Sequence, residues 1–177
     1  MPAPNENPFA LLSVVPAFDI DESAIERAFL KRIGMIHPDR LQRDESGESE
    51  NEVAALNRAK ASLLNPEHRA NLYLALLGGH SAQSDKSLPP GFLMEIMDVR
   101  QQIEADLEAG PAARDKWIAW STQERTAYVQ TLVGLFQQAA AGSRDTLGSI
   151  RQSLNAWRYI ERLIEQLDPR YNPNQNQ

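Results

Sequence analysis

The sequence predicts an all-α fold made of two helical modules. Along several stretches, apolar residues recur at intervals of three and four, as they do on the buried face of a helix. Proline, glycine and polar residues separate these stretches, most clearly over residues 79–90. With 177 residues, 42% of them hydrophobic, the chain is long enough to form two small cores. We therefore expect an N-terminal helical hairpin followed by a C-terminal three-helix bundle.

The N-terminal module is predicted to begin with a short helix between Pro8 and Pro16, because proline suits the first helical position but cannot continue a helix. A longer helix follows Asp21, a favourable N-cap, and ends where Pro38 removes a backbone N–H. The apolar residues of this second helix share one face and predict its contact with the core: Ile25, Ala28, Phe29, Ile33 and Ile36.

The second helix also carries a basic surface and leads into an exposed loop. Three basic residues lie away from its apolar face, two of them opposite and one at the flank: Arg27, Lys31 and Arg32. The loop that follows displays His37, Pro38, Asp39 and Arg40.

Three interpretations of this loop follow from its residues alone. A hydrolytic site using His37 and Asp39 is disfavoured, because the chain has no cysteine and no serine in a nucleophile-elbow context. A metal site is disfavoured because His68 and His80 are not spaced to join His37 as ligands on one helix face. For an isolated tripeptide, a simple turn capped by Asp39 would be the default interpretation.

Two more helices should complete the N-terminal module. After an acidic run at residues 44–52, apolar residues at helical spacing predict a helix from Glu52 to Leu64 that packs against the second helix. A short, largely apolar helix over residues 68–77 should then stop at Gly78.

The C-terminal module should open with a helix from about residue 90 to Ala109. Its predicted core stripe contains Phe92, Ile96, Val99, Ile103 and Leu107. A second set lies outside that stripe and combines apolar with polar side chains: Leu93, Met94, Met97, Asp98, Gln101 and Glu104. Such a set is typical of a partner surface, although a bundle could instead bury its apolar members in a second internal contact.

The remaining helices are marked by local signals. The pattern from Ser121 to Glu124 is a capping box and predicts the start of a helix that ends near Ala141. A third helix should run from about Arg144 to Leu167. The segment with Trp117 and Trp120 has no assigned element and is expected to pack against the bundle.

The N-terminal motifs resemble those of a known family. The sequence His37-Pro38-Asp39, placed between a basic amphipathic helix and a second helix, resembles the J-domain, a co-chaperone module that stimulates DnaK-type ATPases. The run from Pro66 through Arg69-Ala70 to a leucine-rich segment and a glycine is similar to the J-domain end of HscB-type co-chaperones.

The C-terminal strings FLME at residues 92–95 and AWRYIERL at residues 156–163 are also similar to HscB-type proteins. In that family, the corresponding face binds the iron–sulfur scaffold protein IscU. The resemblance implies a scaffold-binding surface of Leu93, Met94, Met97, Asp98, Gln101, Glu104 and Tyr159. It also implies a chaperone-binding surface of His37, Pro38, Asp39, Arg40, Arg27, Lys31 and Arg32.

The sequence departs from the family pattern at a few positions. Arg40 stands where lysine is common, Gln101 replaces an acid, and Gly34 weakens the second helix by about 1 kcal/mol relative to alanine. No glycine- and phenylalanine-rich region or cysteine-rich zinc module is present, so the chain does not resemble a general DnaJ-type client binder.

The resemblance implies a J-domain over residues 1–78, a linker over 79–90, a scaffold-binding domain over 91–168 and a disordered tail over 169–177. The expected partners are a DnaK- or HscA-type ATPase and an IscU-type scaffold, with no cofactor, metal or catalytic residue. Two alternatives are a J-domain protein that recruits another client and a small hydrolase using His37 and Asp39.

Charge and composition narrow the classes of function. The net charge of -6 argues against broad nucleic-acid binding, which requires a basic surface. The absence of cysteine excludes disulfides and thiolate metal sites and fits a reducing compartment. The N-terminus has no signal-peptide or transit-peptide pattern, and no apolar run reaches the length of a membrane span. We therefore expect a cytoplasmic protein that does not act on membranes.

Overall fold

The computed structural model describes residues 7–36, 48–108, 110–168 and 170–171. These residues form seven helices and no strand, which confirms the predicted all-α class. The helices are α1 (Pro8–Leu12), α2 (Glu22–Gly34), α3 (Glu48–Leu64), α4 (Pro66–Leu76), α5 (Phe92–Leu107), α6 (Pro111–Ala140) and α7 (Thr146–Leu167). The chain divides into two compact units, Met1–Tyr73 and Leu74–Gln177, while the predicted domain boundaries near residues 78 and 90 stay predictions.

The N-terminal unit is built from α1, α2 and α3, which pack on one another. The Asn7 side chain caps α1 by accepting a hydrogen bond from the Phe9 backbone N–H at 3.0 Å. Asp21 caps α2 in the same way, as predicted, by accepting from the Ser23 N–H at 3.0 Å. The buried side chains between these helices form the core of the unit and include Phe9, Leu12, Phe18, Ile25, Leu56 and Leu63.

Arg69 ties the start of α4 to the rest of the N-terminal unit. Its buried guanidinium donates from Nε to the Phe18 carbonyl at 2.8 Å and from Nη1 to the Leu63 carbonyl at 2.5 Å. Burial lowers the pKa of Arg69, and the nearby Glu22 and Asp19 carboxylates act in the opposite direction. The arginine of the Pro-x-x-Arg-Ala run therefore has a structural function, joining residues that are 51 apart in sequence.

In the C-terminal unit, α5 packs on α6 and α6 packs on α7. The core where the three helices meet contains Phe92, Ile96, Ile103, Trp117, Ala156, Ile160, Leu163, Ile164 and Leu167. Leu88 also packs against this core. The Asn155 amide on α7 donates to the carbonyls of Asp85 and Ser87 at 3.1 and 2.8 Å. Part of the segment predicted as a linker is thus attached to α7.

The predicted helix start at Ser121 is wrong, because α6 runs without interruption from Pro111 to Ala140. Ser121 is fully buried in the middle of the helix, and its hydroxyl donates to the Trp117 carbonyl at 2.8 Å. A serine inside a helix can donate its hydroxyl hydrogen to a backbone carbonyl one turn earlier, so a serine need not mark the start of a helix. The true start is signalled by Gly110, whose φ of 121° favours glycine, followed by proline at the first helical position.

The segment with the two tryptophans therefore belongs to α6. Trp117 is buried, and its Nε1 donates to Asp106 Oδ2 on α5 at 3.0 Å. The Trp117 and Trp120 rings meet edge to face, with their centroids 5.5 Å apart. The expectation that this segment packs against the bundle is confirmed, because Trp117 is part of the core and the partly buried Trp120 packs against it.

A buried polar network connects α6, α7 and the residues after α7. Glu161 Oε1 accepts hydrogen bonds from Arg125 Nε at 2.9 Å and from Trp157 Nε1 at 2.7 Å. Its second oxygen accepts from the Tyr171 hydroxyl at 2.7 Å. Burial, followed by the hydrogen bond to Glu161, raises the pKa of Tyr171. All three partners donate to this one side chain, which therefore links α6, α7 and Tyr171.

Other helix ends differ from the prediction by a few residues. α2 ends at Gly34, with Met35 as its C-cap, before Pro38 is reached. α3 begins at Glu48, within the acidic run and before Glu52. In the described part of the chain, no helix combines the length and the apolar character needed to cross a bilayer.

Candidate partner-binding surfaces

The first candidate surface is the exposed face of α2. Ile25 is fully buried beneath the helix, whereas Arg27 and Lys31 are exposed on the opposite side, as predicted. We call these two residues the basic face. Arg27 Nη1 donates to the Ser23 hydroxyl at 2.7 Å, and its Nη2 lies 3.9 Å from Asp21 Oδ2. The hydrogen bonds from the Ser23 hydroxyl and N–H are the main reason that the pKa of Asp21 is lowered.

Arg32 lies at the flank of α2, also as predicted, and is half-buried. Its Nε is buried and has no hydrogen-bond partner among the described residues. On the packed side, Lys60 of α3 forms a 2.7 Å ion pair with Glu26 and lies 4.7 Å from the centre of the Phe29 ring. The negative charge of Glu26 is therefore compensated, and the exposed side of α2 remains basic.

The sequence interpretation missed two apolar side chains on this side of α2. Leu30 is 63% exposed and Met35 is 61% exposed. The sequence did indicate an exposed Leu30, since this residue lies outside the apolar stripe of α2. A single exposed leucine is, however, common on protein surfaces. The loop residues His37, Pro38, Asp39 and Arg40 lie outside the described residues, so their part in this surface stays a prediction.

The second candidate surface is the outer face of α5. Phe92, Ile96 and Ile103 point into the core, as predicted. Leu93, Met94 and Met97 are 52%, 74% and 61% exposed, and we call these three residues the apolar shoulder. The polar residues Asp98, Gln101 and Glu104 are exposed beside it. The alternative in which the bundle buries Leu93 and Met97 in a second contact is therefore wrong.

A shallow depression of about 450 Å³ follows the outer face of α5 and is lined by Met97, Asp98, Arg100, Gln101 and Glu104. Arg100 was not among the predicted site residues. It also borders a smaller cavity of about 170 Å³ between α5 and α7, together with Glu104 and Leu163. The face of α5 is thus mixed in charge, with acidic residues in the majority.

Tyr159 of α7 lies beside the start of α5. Its half-buried ring meets Phe92 edge to face, with a centroid distance of 5.7 Å. Tyr128 of α6 contacts the same phenylalanine at 6.4 Å. Burial, and to a lesser extent the charges of Glu124 and Glu95, raises the pKa of Tyr128. The predicted residue Tyr159 therefore contacts Phe92, which immediately precedes the apolar shoulder.

Acidic and histidine residues do not form a metal-binding cluster in the part of the chain that the structure describes. His68 lies on α4, and His80 follows that helix. The two surfaces are therefore suited to binding other proteins. One is basic, the other is largely acidic, and each contains exposed apolar side chains.

Comparison with known proteins gives matches over most of the chain. The family model for the HSCB C-terminal oligomerisation domain matches residues 88–168. The Co-chaperone protein HscB homolog of Ralstonia nicotianae is 30% identical over 142 residues, which are 76% of this chain and 80% of that protein. The mitochondrial J-type co-chaperone jac1 of Schizosaccharomyces pombe is 28% identical over 151 residues, 85% of this chain. The aligned part is 65% of jac1, just under two thirds of its length.

Two solved structures share the fold. Chaperone HscB from Vibrio cholerae superposes with a TM-score of 0.71 at 23% identity, covering 91% of this chain and 94% of that one. The human co-chaperone protein HscB superposes with a TM-score of 0.74 at 21% identity, covering 94% and 82%. At these identities the superpositions establish a common fold.

Proposed function

Because this chain belongs to the HscB family of co-chaperones, we propose that it is an adaptor in iron–sulfur cluster assembly. It binds a DnaK- or HscA-type chaperone through its N-terminal unit and stimulates ATP hydrolysis by that chaperone. It presents an IscU-type scaffold to the chaperone through its C-terminal unit. The protein itself catalyses no step, and a cytoplasmic location stays a prediction.

The chaperone-binding surface of this proposal joins the α2 residues Arg27, Lys31 and Arg32 to the loop residues His37, Pro38, Asp39 and Arg40. Exposed cations on a chain with a net charge of -6 favour docking to an acidic patch on the chaperone. Charges at the rim of an interface act mainly on the rate of association, which salt reduces.

The observation that carries the proposal is the exposure of the apolar shoulder within the segment that matches the family model. Three large apolar side chains lie next to one another on α5 and face solvent, although the core stripe of the same helix is buried. Exposed apolar groups with a polar border are typical of a protein-binding surface. With Tyr159, they form the proposed scaffold-binding surface, bordered by Asp98, Gln101 and Glu104.

The test is the double variant Leu93→Ala with Met97→Ala. If these residues anchor the scaffold, the variant should lose about 2 to 4 kcal/mol of affinity for a purified IscU-type protein, as measured by calorimetry. Its free energy of unfolding should change little, because exposed side chains contribute little to the core. Stimulation of the chaperone ATPase without scaffold should persist.

The matched control is Leu30→Ala with Met35→Ala, which also removes one exposed leucine and one exposed methionine, but from the other unit. This control should bind the scaffold as tightly as the parent. Equal affinity of the Leu93 and Met97 variant would refute the proposed surface, and so would a large loss of stability. If the parent itself binds no IscU-type scaffold, the alternative client-recruiting function is favoured.

A further inference from the structure

We propose that α2 binds the chaperone through a close-contact patch formed by Leu30 and Gly34, with Arg27 and Lys31 as its charged border. This inference rests on the proposed function and deepens it, because it names the groups that let the partner approach α2. The partner segment that fits the patch is an apolar side chain flanked by carboxylates on a DnaK-type ATPase.

Leu30 and Gly34 are neighbours on the exposed side of α2. Positions four apart lie one turn above each other on a helix, so the two residues form one continuous strip of surface. Leu30 is the largest apolar group in that strip and is mostly exposed. One turn further on, Gly34 offers no side chain, which leaves a flat area beside the leucine.

The backbone conformation does not explain the glycine at position 34. Gly34 is the last residue of α2 and is not among the glycines with positive φ. A Cβ atom built on it would meet no heavy atom within 4 Å, so alanine would fit without a clash. What the missing side chain provides is access, because another protein can pack directly against the helix backbone there.

The charges beside the patch indicate the kind of partner. Lys31 follows Leu30 and forms no ion pair with a described residue. Arg27 lies one turn before Leu30, donates to the Ser23 hydroxyl, and approaches the Asp21 carboxylate only to 3.9 Å. On α5, by contrast, the apolar shoulder is bordered by Asp98 and Glu104. The two apolar patches of this chain therefore favour partners of opposite charge, and the α2 patch fits an acidic one.

The experiment measures the concentration of full-length protein that gives half-maximal stimulation of a purified DnaK-type ATPase. Gly34→Ala should raise that concentration about tenfold, because the added methyl group keeps the partner away from the helix backbone, an effect comparable to losing one well-packed interface contact. The same variant should be at least as stable as the parent, because alanine is the better helix former. Leu30→Ala should raise the concentration by a similar factor without lowering the melting temperature.

Gly148→Ala is a matched control, since Gly148 is also an exposed helical glycine at which an added Cβ would meet no heavy atom within 4 Å, but it lies on α7. It should stimulate the ATPase like the parent. The patch is overturned if Gly34→Ala and Leu30→Ala both act at the parent's concentration while His37→Gln abolishes stimulation, which would leave the proposed function intact. If the parent does not stimulate the ATPase at all, the patch and the proposed function both fail.

Discussion

Replacing Glu161 by glutamine tests whether one buried carboxylate holds the C-terminal unit together. The substitution keeps the size and shape of the side chain but removes its charge. Arg125, Trp157 and Tyr171 all donate to this carboxylate. An amide can offer them only one acceptor oxygen, and its nitrogen is a donor. The amide oxygen can keep Arg125 and Trp157, and the amide nitrogen then faces the Tyr171 hydroxyl, which must turn to accept. The buried Arg125 guanidinium loses its counter-charge.

The expected loss follows from the burial of the ion pair. The Arg125 and Glu161 side chains are both largely buried, so solvent cannot replace the missing charge. Removing one member of such a pair typically costs about 3 to 5 kcal/mol, most of it from the partner charge left in the interior. We expect a loss of about 3 kcal/mol, a large part of the roughly 5 to 15 kcal/mol that stabilises most proteins.

Urea denaturation followed by far-UV circular dichroism measures this loss. The matched control is Glu165→Gln, which removes the same charge one turn later on α7, where the side chain is exposed. The control should stay within about 0.5 kcal/mol of the parent. Equal losses in the two variants would refute the argument, because the effect would then come from net charge and not from the network.

Two further predictions concern buried polar groups. Since burial raises the folded-state pKa of Tyr171 above its ordinary value, its contribution to stability is complete below about pH 10 and is lost as the pH rises further. When the pH is raised from neutral to above about 10, the free energy of unfolding should therefore fall less in Tyr171→Phe than in the parent. Urea denaturation at the two pH values measures this, and an equal fall in both proteins would contradict it. Arg69→Met should destabilise the N-terminal unit by roughly 2 to 4 kcal/mol, because two buried carbonyls lose a charged donor. Arg58→Met, at an exposed position of α3, is the control, and hydrogen exchange in α1 and α3 is the measurement.

The features that could be predicted from sequence are those set by the period of a single helix. The outer face of α5 follows directly from residues spaced by three and four, and so does the separation of Arg27 from Ile25 on α2. The start of α6 could not be placed by a local pattern, because packing inside the bundle overrode the capping signal at Ser121. The Arg125 and Glu161 pair is 36 residues apart, and nothing in the spacing of either residue indicates the other.

The tryptophans of the chain, among them Trp157 beside Glu161, give the protein intrinsic fluorescence. All three tryptophans, Trp117, Trp120 and Trp157, lie in the C-terminal unit, and the N-terminal unit contains none. Intrinsic tryptophan emission therefore reports on events in the C-terminal unit alone. A ligand without tryptophan that docks on α2 should leave this emission unchanged unless the two units communicate. Fluorescence of the unlabelled protein can thus detect coupling between its two binding events.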